Sequence, residues 1–117
     1  MAGVEIWHNP RCSKSRTAKQ ALDEAGVEYV ERRYLDRPPT AAELTEVLDL
    51  LGAEPWEITR TNEPVAKELG VADWPKDRER WIELLVDNPA LIQRPIVRTE
   101  RRAVVARDED SLREIIP

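Results

Sequence analysis

Apolar and polar residues alternate through Val4-Glu5-Ile6-Trp7, and the segment passes through His8 into Asn9-Pro10, which predicts a strand closed by a turn. Beyond the turn, Ala18, Ala21, Leu22 and Ala25 recur at i, i+3, i+4 and i+7, the spacing of one helical face, and Gly26 is placed to end the helix. Val27 to Leu35 carries Tyr29, Val30 and Tyr34 between charges and stops at Arg37-Pro38-Pro39, which predicts a second strand. Strand, helix and strand in this order favour a right-handed parallel βαβ unit. The turn after the first strand delivers Cys12 to the helix start.

Thr40-Ala41-Ala42-Glu43 has the form of a capping box and opens a helix with Leu44, Val47, Leu48 and Leu51 on one face before Gly52. Pro55, Pro64 and Pro75 then cut the chain into short pieces, within or after which Glu63 to Leu69 and Asp77 to Asn88 are the predicted helices. Trp56, Trp74 and Trp81 fall in this stretch as packing residues of a helical cap. Pro95 to Thr99 and Ala103 to Ala106, separated by Glu100-Arg101-Arg102, predict an antiparallel hairpin, and Leu112, Ile115 and Ile116 a closing helix. The sum is an α/β chain, βαβ then ββα around a mixed four-stranded sheet. It resembles a thioredoxin-like fold, read as a single domain over 1–117 with a helical insertion at about 40–90.

Composition narrows what such a chain does. A length of 117 residues with 41% hydrophobic and 35% charged residues suits one globular domain that needs no disulfide or metal staple, and no metal site is expected. No apolar run approaches the roughly 18 residues of a membrane span, and no leader-like succession opens the chain, so a cytoplasmic protein without membrane contact is expected. The formal net charge of −5 disfavours a general nucleic-acid binder. Arginine supplies 14 of the 18 basic residues, a bias that serves planar oxyanion recognition and that genome composition also produces.

The chain holds one cysteine, and Ser15 stands where a Cys-X-X-Cys pair would keep its second sulfur, so any redox cycle must borrow an external thiol. An ordinary cysteine with pKa near 8.5 is only about 3% thiolate at pH 7, whereas one shifted to about 6.5 is roughly three-quarters ionised. A helix N-terminus, the N–H groups after Cys12, the Ser13 and Ser15 hydroxyls and the cations Arg11, Lys14 and Arg16 all favour that shift. His8, the sole histidine, would favour it as imidazolium, while Ser15 could instead serve as a helix cap.

His8-Asn9-Pro10-Arg11-Cys12-Ser13-Lys14-Ser15-Arg16 resembles the active-site loop of glutaredoxin-coupled arsenate reductases. Tyr34-Leu35 with Pro38-Pro39-Thr40, Arg60-Thr61-Asn62-Glu63-Pro64 and Leu91-Ile92-Gln93-Arg94-Pro95-Ile96-Val97 resemble the same family in the same order. The resemblance implies Cys12 as the nucleophile toward arsenate, tuned by His8, Asn9, Ser15 and Arg16, with Arg60, Arg94 and Arg107 holding the oxyanion and a cis bond before Pro95. Arg107 is followed by Asp108, a carboxylate able to compete for the guanidinium, so Arg102 is the alternative third arginine. No bound cofactor is implied. Glutathione or another low-molecular-weight thiol would be the co-substrate, glutaredoxin or a similar thiol reductase the partner, and the active form a monomer. Two other readings keep the fold: a thiol oxidoreductase of different substrate, and a redox-responsive regulator of the Spx type that contacts RNA polymerase.

Overall fold

A computed structural model, which describes residues 3–107 and 109–115, builds the sheet around β1 (Val4–Trp7). The strand order is β2-β1-β3-β4, with β2 spanning Tyr29–Arg32, β3 Ile96–Arg98 and β4 Ala103–Val105. β1 runs parallel to β2, with Ile6 opposite Glu31, and antiparallel to β3, with Ile6 opposite Val97; β3 and β4 form the antiparallel hairpin. Parallel neighbours need a long crossover. It is α1 (Ser13–Glu24). This is the thioredoxin-like arrangement, βαβ followed by ββα.

Pleating sends Val4 and Ile6 to one face of β1, where they pack with Ala18 and Leu22 of α1, Val97, Ala106, and Leu112 and Ile115 at the last helix, α5 (Glu109–Arg113). α1 ends as its glycine predicts. Gly26 adopts φ +70°, its N–H donates to the Asp23 carbonyl, and the Val27 N–H donates to the Leu22 carbonyl.

The second strand is shorter than the expected Val27 to Leu35. Val27 is spent closing α1, and a turn in which the N–H groups of Asp36 and Arg37 both donate to the Arg33 carbonyl takes the other end. Of the closing helix, Leu112 and Ile115 are buried, whereas Ile116 lies outside the described residues.

The chain divides into two compact units, Met1–Pro38 with Arg94–Pro117, and Pro39–Gln93. The second unit holds α2 (Ala41–Leu51), α3 (Pro64–Leu69) and α4 (Arg78–Asp87). Leu44, Val47 and Leu48 of α2 and Trp81, Ile82, Leu84 and Leu85 of α4 are buried in it. Trp81 stacks edge-on with Trp56 and Trp74, at ring separations of 6.2 and 5.7 Å. No helix among the described residues is long and apolar enough to cross a membrane.

Candidate functional site

The loop between β1 and α1 is tied by its own backbone. The Cys12 N–H donates to the Asn9 carbonyl at 3.0 Å, closing a turn over Pro10 and Arg11, and the Arg11 N–H donates to Asn9 Oδ1 at 3.0 Å. The Asn9 N–H in turn donates to Ser15 Oγ at 3.0 Å, and Arg16 donates to the Pro10 carbonyl at 3.0 Å. Three side chains therefore hold one turn, and the turn holds Cys12 at the N-cap of α1, with φ −94° and ψ 123°.

Cys12 is half-buried and makes no regular capping hydrogen bond. Its thiol is nonetheless more acidic than an ordinary cysteine. Burial, the largest single influence, pushes the pKa up, but the Ser15 N–H, a hydrogen bond from the Arg94 side chain, the Arg94 charge and the Lys14 N–H together pull it down further. Lys14 and Ser15 are the second and third residues of α1. The sulfur thus takes the place that a capping oxygen occupies elsewhere.

His8 does not play the expected cationic part. It is 3% exposed, and burial lowers its pKa below the usual histidine value, with Lys19, Arg33 and Arg16 adding to the effect and only Glu31 opposing it. His8 is therefore neutral at pH 7. Its Nδ1 is hydrogen-bonded to the buried Ser15 hydroxyl at 2.7 Å. Ser15 is correspondingly a bracket inside the helix and not its cap, since one oxygen joins Asn9 and His8. Beside them Glu31 takes Lys19 at 2.6 Å and Arg33 at 2.9 Å, hydrogen bonds that bring its pKa down to about 2. Nothing in the alternation of β2 pointed to Glu31, because it reads there as a solvated charge.

The predicted arginines fare differently. Arg94 reaches Cys12, and the bond between Arg94 and Pro95 is cis. Arg107 is exposed after β4 and lines a cavity along α1 that Lys14 also borders. Arg102 donates to the Glu114 carbonyl at 3.3 Å, which commits it to the C-terminal turn; Asp108 lies outside the described residues. Arg60 belongs to the second unit, where its N–H donates to the Leu91 carbonyl at 2.7 Å and its guanidinium pairs with Glu63. Among the described residues no group of three or more His, Cys, Asp or Glu side chains is arranged to hold a metal ion.

Residues 7–115 match the ArsC family. The arsenate reductase of Neisseria meningitidis serogroup A is 36% identical over 117 residues, with 99% of this chain and all of the relative covered. An uncharacterised protein in the glnII region of Streptomyces viridochromogenes is 50% identical over 117 residues, covering 97% of this chain and 98% of its own length. Among solved structures, an arsenate reductase from Vibrio cholerae superposes with a TM-score of 0.91 at 32% identity, covering 97% of each chain. With likeness running through loop, sheet and helical unit alike, the chain belongs to the ArsC family.

Proposed function

We propose that the protein is an arsenate reductase in which the Cys12 thiolate is the nucleophile. One observation carries the reading: the hydrogen bond between Arg94 and Cys12 at the head of α1. The guanidinium that makes the thiol acidic is also a bidentate oxyanion ligand standing at the attacking atom. A thiolate approaching arsenate meets like charge, and a fixed planar cation offsets it in ground and transition state alike.

Arg94 and Arg107 hold the oxyanion while the thiolate attacks arsenic, and Arg60 is the further cation that the family resemblance implies; a protonated arsenate oxygen leaves as water and a Cys12 thiol–arsenate adduct remains. Arg102's commitment to Glu114 favours Arg107 as the third arginine. An external thiol such as glutathione then attacks the Cys12 sulfur. An S–S bond forms, the S–As bond breaks with its electron pair leaving on arsenic, and arsenic falls from the +5 to the +3 state as arsenite. Glutaredoxin or a similar reductase clears the mixed disulfide, as a chain with one cysteine requires. No bound cofactor takes part. The enzyme acts as a monomer in the cytoplasm, where the thiol pool keeps Cys12 reduced.

The test is a pair of substitutions in an assay of arsenate-dependent glutathione oxidation. Cys12→Ser abolishes turnover, and Arg94→Ala weakens protection of Cys12 by arsenate against alkylation; arsenate-dependent turnover surviving in Cys12→Ser sinks the mechanism. A thiol oxidoreductase of other substrate is the second reading, favoured by the Arg60–Glu63 pair, which competes for one of the three cations. It predicts glutathione consumption that arsenate does not stimulate.

A further inference from the structure

The second unit carries a groove that its own packing does not fill. α4 buries Trp81, Leu84 and Leu85 in the core, while Glu79, Ile82, Glu83 and Val86 recur at i, i+3, i+4 and i+7 along a neighbouring face. That face and the start of α2, at Ala41 and Thr45, border an open cavity of about 350 Å³. Its cause is plain: α2 places two small residues one turn apart where longer side chains would close the gap. The Thr45 hydroxyl is spent on the Ala41 carbonyl at 2.7 Å, so alanine, isoleucine, valine and the threonine methyl make an apolar floor.

The rim is acidic and uncompensated. Both cations of α4 are engaged elsewhere: Arg78 pairs with Asp49 at 3.1 Å and Glu54 at 3.0 Å, and Arg80 lies 4.1 Å from the centre of the Trp74 ring. Glu79 and Glu83 are exposed, and among the described residues neither side chain has a hydrogen bond or ion pair. Glu79 stands in the first turn, where the helix dipole favours a carboxylate. Glu83 has no such reason, and as a like charge four residues on it weakens the helix. A residue that works against its own element points to a use outside it.

We propose that this groove docks a basic amphipathic helix of a partner protein, with aliphatic side chains on the floor and two cations one turn apart against Glu79 and Glu83. Charge complementarity sets the sign of the partner, and shape sets its form. Glu79 to Val86 covers about 10 Å of helix axis, two turns, and the exposed contacts repeat every turn, as a third helix laid between two others requires. The formal net charge of −5 favours the encounter and makes it sensitive to salt. Nothing in this docking depends on what Cys12 acts on.

The probe is an amidated helical peptide of about 15 residues, with leucines at i, i+4 and i+7 flanked by lysines, beside a twin with glutamate for every lysine. Titrated into the full chain, the lysine peptide should shift the backbone amide resonances of residues 41–45 and 79–86, and the twin should shift none. Glu83→Gln should weaken binding about fivefold, the limit for one exposed ion pair, and leave thermal unfolding of the free chain unchanged or slightly higher. Thr45→Leu fills the groove and keeps both carboxylates; it should weaken binding about tenfold, the worth of one seated aliphatic side chain. Should Thr45→Leu unfold, Glu79→Gln and Glu83→Gln decide alone. Shifts centred elsewhere, equal response to both peptides, or full binding in the glutamine variants or in folded Thr45→Leu would overturn the proposal. So would equal shifts from 1,5-diaminopentane, which would make the groove a small-cation site, and so would a loss of stability in Glu83→Gln, which would tie that carboxylate to the fold.

Discussion

Two helix N-termini of this chain solve the same problem in opposite ways. α2 is closed: the Glu43 N–H donates to Thr40 Oγ1 at 3.1 Å and the Thr40 N–H to Glu43 Oε1 at 3.0 Å, so side-chain oxygens take the exposed donors and a carboxylate meets the helix dipole. α1 has no capping hydrogen bond and no acidic residue in its first turn. Its loop is no looser for that, because Asn9, Ser15 and Arg16 fix the turn from the sides. The N–H groups of Lys14 and Ser15 are kept for the sulfur of Cys12. The cap of α2 stabilises the fold; the start of α1 gives up that contribution and makes a thiol acidic.

The sharpest way to break the comparison is to give α1 a proper cap. In Cys12→Asp the carboxylate accepts from the α1 N–H groups, so thermal stability should hold or rise by up to about 1 kcal/mol. Arsenate-dependent turnover should fall to background. Thermal denaturation together with the thiol-oxidation assay checks both halves, and a marked loss of stability would mean that the α1 terminus is not the anion seat described.

Next in size is Arg94→Gln. Removing both the hydrogen bond and the charge should raise the Cys12 pKa, moving the midpoint of its alkylation profile to higher pH. Each unit of that movement costs about tenfold in thiolate near neutral pH. An unmoved midpoint would leave the helix N–H groups as the whole cause of the acidity.

Arg94 also marks where the sequence stopped being informative. The elements were legible because their signals are local: the Thr40 box, the Gly26 and Gly52 stops, and the alternation in Val4 to Trp7 each act within a few residues. Cys12 was legible for the same reason, since polar and cationic neighbours surround it in sequence. The Arg94 contact spans 82 positions, and nothing in the spacing of fourteen arginines distinguishes it; only family resemblance did. The charge of His8 misled because it depends on burial, which a strand end does not advertise, and its partner Ser15 sits seven residues away on another element.

Opening the closed terminus is the converse experiment and a smaller effect. Thr40→Ala removes one half of the capping box and should cost about 1 kcal/mol in denaturant unfolding. The alkylation rate of Cys12 should stay at the wild-type value at every pH. A change in thiol reactivity would show the two termini to be coupled, which a purely local cap is not.

The smallest effect tests the missing acid. Ser13 is the first residue of α1 and exposed, so Ser13→Glu adds a carboxylate to the first turn, as Glu43 does two positions further into α2, with little disturbance of packing. For the helix alone the change is favourable by a few tenths of a kcal/mol, because a negative charge meets the positive end of the dipole. For the thiolate it is unfavourable, because two anions then share one terminus. The expected result is a slight gain in stability with a two- to threefold slower alkylation at pH 7, read as an upward shift of the midpoint and diminished by added salt. Unchanged reactivity would mean that Arg94 and the N–H groups screen Cys12 from its own first turn. The bare first turn of α1 would then have no electrostatic reason.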